Sequence, residues 1–179
     1  MSPRTTDFAL AVEGVEGVCP AGEVYSKQKI AEQKIPVFSC EGPCIRGDIA
    51  RLAANMVAND VPALARACHA ETFLVPHSSM AQWVKGADTT IMIDGCFLQC
   101  HGRVLKKLIG EEKVVQLNAF PFYKKYTDIF LMDDVPEAER KAVAREVADK
   151  IIAMLKNDAR VTAIRVPAER VAEGEGAIS

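Results

Sequence analysis

No apolar run in this chain reaches the roughly 18 residues that a membrane-spanning helix needs. Excess charge of either sign is also missing. Twenty-two basic residues face 24 acidic ones, a formal charge of −2, so no global field draws the protein to nucleic acid or to an anionic membrane. The opening "MSPRTTDFALAVEGVEG" has acids where a signal peptide would be continuously apolar, and the expectation is a cytoplasmic protein. The glycines form neither G-x-G-x-x-G nor a Walker A loop, which leaves dinucleotide and phosphate binding without support. Nucleophile-elbow, H-E-x-x-H and zinc-deaminase patterns are absent too. There is no repeat of solenoid type.

What is present is enough apolar material for one sizeable core: 179 residues, 49% hydrophobic. Strand-like and helix-like segments alternate, the pattern of an α/β fold. "IPVFSC" from Ile35 to Cys40 reads as a strand. The helix after it carries Ile49, Leu52, Ala53, Met56 and Val57 on one face, with Asp48 as the predicted N-cap. Around Pro62 the pattern fits a helix start or an edge strand equally. A helix opens near Ser78, pairs Met80 with Val84 and ends at Gly86. "TTIMI" is a buried strand, "RVLKKLIG" a helix stopped by Gly110, and "KVVQLNAF" a fourth strand. The strongest helix signal starts near Pro136 and aligns Val143, Val147, Ile151 and Leu155. We therefore expect a three-layer α/β sandwich around a central, mostly parallel, Rossmann-like sheet. An apolar helix face in the C-terminal region can pack internally or against another subunit, which leaves the oligomeric state open.

Six cysteines exceed what packing requires, and a reducing compartment disfavours structural disulfides. Four of them form two C-x3-C pairs, Cys40 with Cys44 and Cys96 with Cys100, each placed just past a predicted strand. Ligand groups of open α/β sheets gather at the carboxyl ends of strands. If the two strands are parallel neighbours, four sulfurs converge there and can offer Zn2+ its tetrahedral thiolate set. On the second pair, i,i+4 spacing predicts both thiols on one helical face, at a helix N-terminus that favours thiolate. Gly42 and Pro43 suit a tight turn around an ion. An iron-sulfur cluster would use the same thiolates and is the alternative cofactor, although no C-x2-C-x2-C run is present.

The remaining candidates carry plainer readings. Cys19 is expected to be incidental, and Cys68, which precedes His69, is either packing or a fifth donor. His101 should point away from Cys100, toward the surface or a supporting position. His77 lies in a loop that could border the crevice. Asp94 is placed to cap the following turn or to orient a ligand. Tyr123, Lys124, Lys125 and Tyr126 follow the fourth strand and could close the crevice.

With those residues in view, the chain resembles the DGC-domain family, named for its Asp-Gly-Cys motif. "MIDGCFLQCHGRVLKKLIG" is similar to the family's strand, D-G-C-x3-C and helix, over Asp94, Gly95, Cys96 and Cys100. "FSCEGPCIRGDIARLAANMVA" is similar to its first motif, over Cys40, Gly42, Cys44 and Gly47. The family carries a further cysteine upstream of Asp-Gly-Cys, where Cys68 falls. That resemblance would raise Cys68 to a ligand competing with Cys44. It implies a zinc-binding protein, structural or metal-sensing and metal-handling, with Cys40, Cys44, Cys68, Cys96 and Cys100 as the candidate ligands. Thiol-redox chemistry or a metal-dependent enzyme on the same cysteines is the rival reading, and enzymatic activity stays open. The implied organisation is an N-terminal extension over residues 1–34 packed on an α/β domain of residues 35–160, with a tail over residues 161–179.

Overall fold

The computed structural model describes residues 8–162. Four strands, β1 (Ile35–Ser39), β2 (Leu64–Arg66), β3 (Thr90–Asp94) and β4 (Val114–Asn118), form one all-parallel sheet in the order β2-β1-β3-β4. Every residue of β1 and β3 is buried, which is why both read as continuous apolar runs rather than as alternating ones. At β2 the short strand has a single neighbour, so Pro62 precedes an edge strand and does not open a helix.

The helices are α1 (Pro20–Ala31), α2 (Ile45–Asp60), α3 (His69–Leu74), α4 (Ser79–Gly86), α5 (Cys100–Ile109), α6 (Phe120–Tyr123), α7 (Glu137–Leu155) and α8 (Ala159–Thr162). Successive strand residues point to opposite faces, and two cores result. Ile35, Val37, Ile91, Ile93 and Val115 pack with α2 and α7. Phe38, Met92 and Val114 pack with Met80, Trp83 and Val84 of α4 and Leu105 of α5. The α2 and α7 contact is built from small residues, Ala50, Ala53 and Ala54 against Ala144 and Ala148, all fully buried, so the two helices approach closely. Val143, Val147, Ile151 and Leu155 line the inner face of α7, as their spacing predicts.

Asp48 is not the N-cap of α2. The helix begins immediately after the first C-x3-C, and Cys44 caps it, its Sγ accepting the Gly47 N–H at 3.4 Å. The Asp48 carboxylate turns inward instead, 1% exposed, and pairs with Arg51 on its own helix and Arg140 on α7. Before the sheet, α1 leans on α4, where the Glu23 carboxylate accepts both the N–H and the Oγ–H of Ser79 at 2.6 Å. Among the described residues, no helix is long and apolar enough to cross a membrane. Of the expected tail over residues 161–179, residues 161–162 belong to α8 and residues 163–179 lie outside the described residues, as do residues 1–7 of the expected extension.

Candidate functional site

Strand order opens the crevice. From β1 the chain crosses to β2 on one side, and it then returns to place β3 on the other side of β1, so the order reverses between β1 and β3. The helix after β1 goes to one face of the sheet and the helix after β3 goes to the other, leaving a gap at the strand ends between them. Cys40 follows β1 and Cys96 follows β3, and the two strands are parallel neighbours, with Val37 opposite Ile91 and Ser39 opposite Ile93. Cys40 prolongs that pairing, its N–H donating to the Ile93 carbonyl at 3.0 Å.

The two cysteine segments touch through backbone. A Cβ placed on Gly95 would stand 2.5 Å from the Arg46 carbonyl oxygen, 2.7 Å from its carbon and 3.0 Å from the Gly47 nitrogen. The middle residue of Asp-Gly-Cys is thus a close-approach glycine that lets the start of α2 rest on the turn after β3. Gly95 and Gly42 each direct a backbone N–H at the Cys40 sulfur. A Cβ on Gly42 would lie 3.9 Å from the Cys40 Sγ and 3.8 Å from the Cys44 Sγ, so both sulfurs of the first pair surround that glycine. Burial raises the Cys40 thiol above its ordinary range, against the pull of these two amides, and the neighbouring Cys44 and Asp94 add to the rise.

The second pair is arranged differently from the expectation. Cys96 is not on α5: it opens a turn whose Gln99 N–H returns to the Cys96 carbonyl at 3.2 Å, and Gln99 adopts φ 50° before the helix begins at Cys100. The i,i+4 spacing therefore does not put the two thiols on one helical face. Cys96 is instead near enough to the buried Tyr123 to act on its hydroxyl, which has no hydrogen-bond partner among the described residues. Burial first, and then the Cys44 and Cys96 thiols, keep that phenol far above its ordinary range, while Arg46 opposes them. Cys100 is exposed in the first turn of α5. Cys68 is exposed at the end of β2, where it occupies the N-cap position of α3 without a side-chain cap bond. Cys19 caps α1, its Sγ accepting the Gly22 N–H at 3.4 Å.

Asp94 accepts hydrogen bonds, though from more distant partners than the turn beside it. Its Oδ1 takes the Gly102 N–H of α5 at 3.4 Å and its Oδ2 takes the Gln116 Nε2–H at 2.7 Å. Burial raises its carboxyl above the usual range, opposed by Gln116, Gly102 and His101. Lys124 and Lys125 stay exposed, and the Tyr126 hydroxyl donates to Glu139. His77 does not turn to the thiols: it is exposed, with its Nε2 3.1 Å from the Glu16 carbonyl.

His101 is half-buried, with its Nδ1 fully covered, and beside it stands His69, a residue that sequence reasoning did not single out. The two rings meet with centroids 4.7 Å apart and planes at 65°, and His69 also packs edge-on to Phe38. Burial, then His101 and Arg66, lower His69 to about 3, with the Ser39 carbonyl opposing. The signal in the sequence was the dipeptide Cys-His, which occurs twice, at Cys68-His69 and Cys100-His101. Each copy lies where a helix begins.

A family model for the DGC domain matches residues 36–147, more than half of the chain. The chain belongs to the DGC-domain family. The matched span includes Cys40, Cys44, Cys68, Cys96 and Cys100 and leaves Cys19 outside. Neither the curated proteins nor the solved structures contain a match to it. Among the described residues, no three His, Cys, Asp or Glu side chains are held closely enough to grip an ion as they stand. The free sulfurs of Cys40 and Cys96, just past adjacent strands, are the donor type a thiolate-bound metal needs, without forming a finished coordination shell. An open depression of about 370 Å³ along β2, lined by Tyr25, Lys29, Asn55 and Arg66, contains none of the cysteines.

Proposed function

We propose that this DGC domain is a metal-binding unit that takes a zinc ion through cysteine thiolates at the carboxyl ends of its strands, in a structural, sensing or metal-handling role. Cys40, Cys44, Cys96 and Cys100 are the first choice of ligands, with Cys68 as the fifth candidate. The observation that carries this reading is the backbone contact of Gly95 with Arg46 and Gly47, which seats the two C-x3-C segments against each other. Gly95 also donates to the Cys40 sulfur, a bond that a thiolate accepts more strongly than a thiol. Binding would draw in the turn from Cys96 to Gln99 and displace the Cys40 proton, so uptake is coupled to closure of the crevice and to proton release. In the same reading the protein is cytoplasmic, its layers form a Rossmann-like sandwich, and residues 35–160 make the domain, between an extension and a tail.

Thiol-redox chemistry on the same cysteines is the rival reading, and all of them are free thiols. Elemental analysis of the purified, freshly reduced protein tests the proposal. We expect about one zinc per chain, lost in Cys96→Ser, with Cys68→Ser reporting whether that residue is a ligand. Absence of metal from the wild type would reject the thiolate reading and promote the redox one.

A further inference from the structure

Buried polar atoms in native proteins nearly always have partners, and each exception calls for an explanation such as an ion or a water. Six side-chain nitrogen or oxygen atoms among the described residues are buried without a partner, and two of them, His69 Nε2 and His101 Nδ1, belong to rings in contact. On the other side of the His69 ring the Glu41 carboxylate faces Nδ1, with Oε1 3.9 Å away. No protein group among the described residues reaches Nε2. An imidazole so placed can direct its proton from Nδ1 toward Glu41 and offer Nε2 to an ion.

We propose that His69 Nε2 and His101 Nδ1 form a second position for a divalent transition-metal ion, a nitrogen-donor site between the starts of α3 and α5, separate from the thiolates of Cys40, Cys44, Cys96 and Cys100. Ring spacing is compatible with it. With Zn–N near 2.05 Å and each nitrogen about 1.1 Å from its ring centre, two imidazoles at a tetrahedral angle have centroids about 5.2 Å apart. The observed separation is 4.7 Å, so the rings would move apart by about half an ångström. Water would complete the shell. Two imidazole ligands hold an ion more weakly than a thiolate set, so this position would fill after the first equivalent and empty on purification. Imidazole suits zinc, copper and nickel, and it gives the second position a borderline rather than a strictly soft preference.

The inference stands apart from the thiolate reading, and one titration separates the two. Zn2+ is added to the reduced, metal-free full chain while the side-chain nitrogens of its three histidines are followed by long-range 1H–15N correlation. A parallel Co2+ titration reads sulfur-to-metal charge-transfer absorption. The expected result is that His69 Nε2 and His101 Nδ1 move together toward the metal-bound position beyond the first equivalent, while His77 stays still. His101→Gln should abolish the His69 response, with the wild-type spectra keeping the test valid if that variant folds poorly. Charge-transfer bands with unmoved imidazoles would overturn this proposal and leave the thiolate reading standing. Moving imidazoles without those bands would do the reverse. A response shared equally by His77 would reduce the effect to surface binding and overturn the proposal as well.

Discussion

Replacing Gly95 with alanine tests whether the two cysteine segments are held together by direct backbone contact. The new methyl would meet the Arg46 carbonyl oxygen at 2.5 Å, where ordinary contact begins at 3.4 Å. The difference, 3.4 − 2.5, is about 0.9 Å, and the obstacle is main chain, which cannot rotate away as a side chain can. Either the start of α2 or the turn after β3 must shift by that amount. We expect Gly95→Ala to lower unfolding free energy by about 1–3 kcal/mol, the usual cost of overpacking. It should also weaken zinc binding, because the Gly95 N–H moves off the Cys40 sulfur. Urea denaturation followed by circular dichroism gives the first quantity, and competition with a chromophoric chelator gives the second. Gly86→Ala is the control, since nothing lies within 4 Å of a Cβ there and the residue ends helix α4. It should be neutral or stabilising by up to about 1 kcal/mol. A Gly95→Ala protein as stable as the Gly86→Ala control would refute the reasoning.

Asp48→Ala leaves Arg140, 12% exposed, without its carboxylate and should cost about 3–5 kcal/mol in urea denaturation. Arg51→Ala at the other end of the same carboxylate, 40% exposed, should cost less than about 1 kcal/mol. His69 titrates near 3 when folded and near 6.5 when unfolded, so the unfolded state binds more protons between those values and stability falls as pH drops through that window. From pH 7 to pH 5 the metal-free wild type should lose about 2 kcal/mol relative to His69→Phe, and parallel stability curves for the two would contradict the burial of that ring. Zinc uptake should release protons, because the Cys40 thiol is raised above its ordinary range, and the release should shrink in Cys40→Ser. A pH-indicator titration in weak buffer reads it directly.

Much of the fold was legible because burial on both faces leaves a plain mark. "IPVFS" and "TTIMI" are continuous apolar runs, and helix α7 repeats its valines and isoleucine at helical spacing. The cysteine pairs were legible by position as well, since a strand followed by a glycine turn and a helix can be read locally. The i,i+4 inference for Cys96 and Cys100 failed because spacing says nothing of where a helix begins. The turn through Gln99 delays α5 to Cys100, and only Cys100 of that pair is helical. Asp48 was misread for the converse reason: α2 starts earlier, at Ile45, and the pull on the carboxylate comes from Arg140, 92 residues away.

By itself the sequence determined the strand-helix alternation, the two cysteine pairs just past their strands and the family to which the chain belongs, because local spacing and residue type carry all three. Tertiary structure alone decided that β1 and β3 are neighbours where the strand order reverses, that Gly95 bears on Arg46, and that His69 meets His101. Each of these brings together residues far apart in the chain, and such contacts arise from packing two faces of one sheet, which no local pattern records.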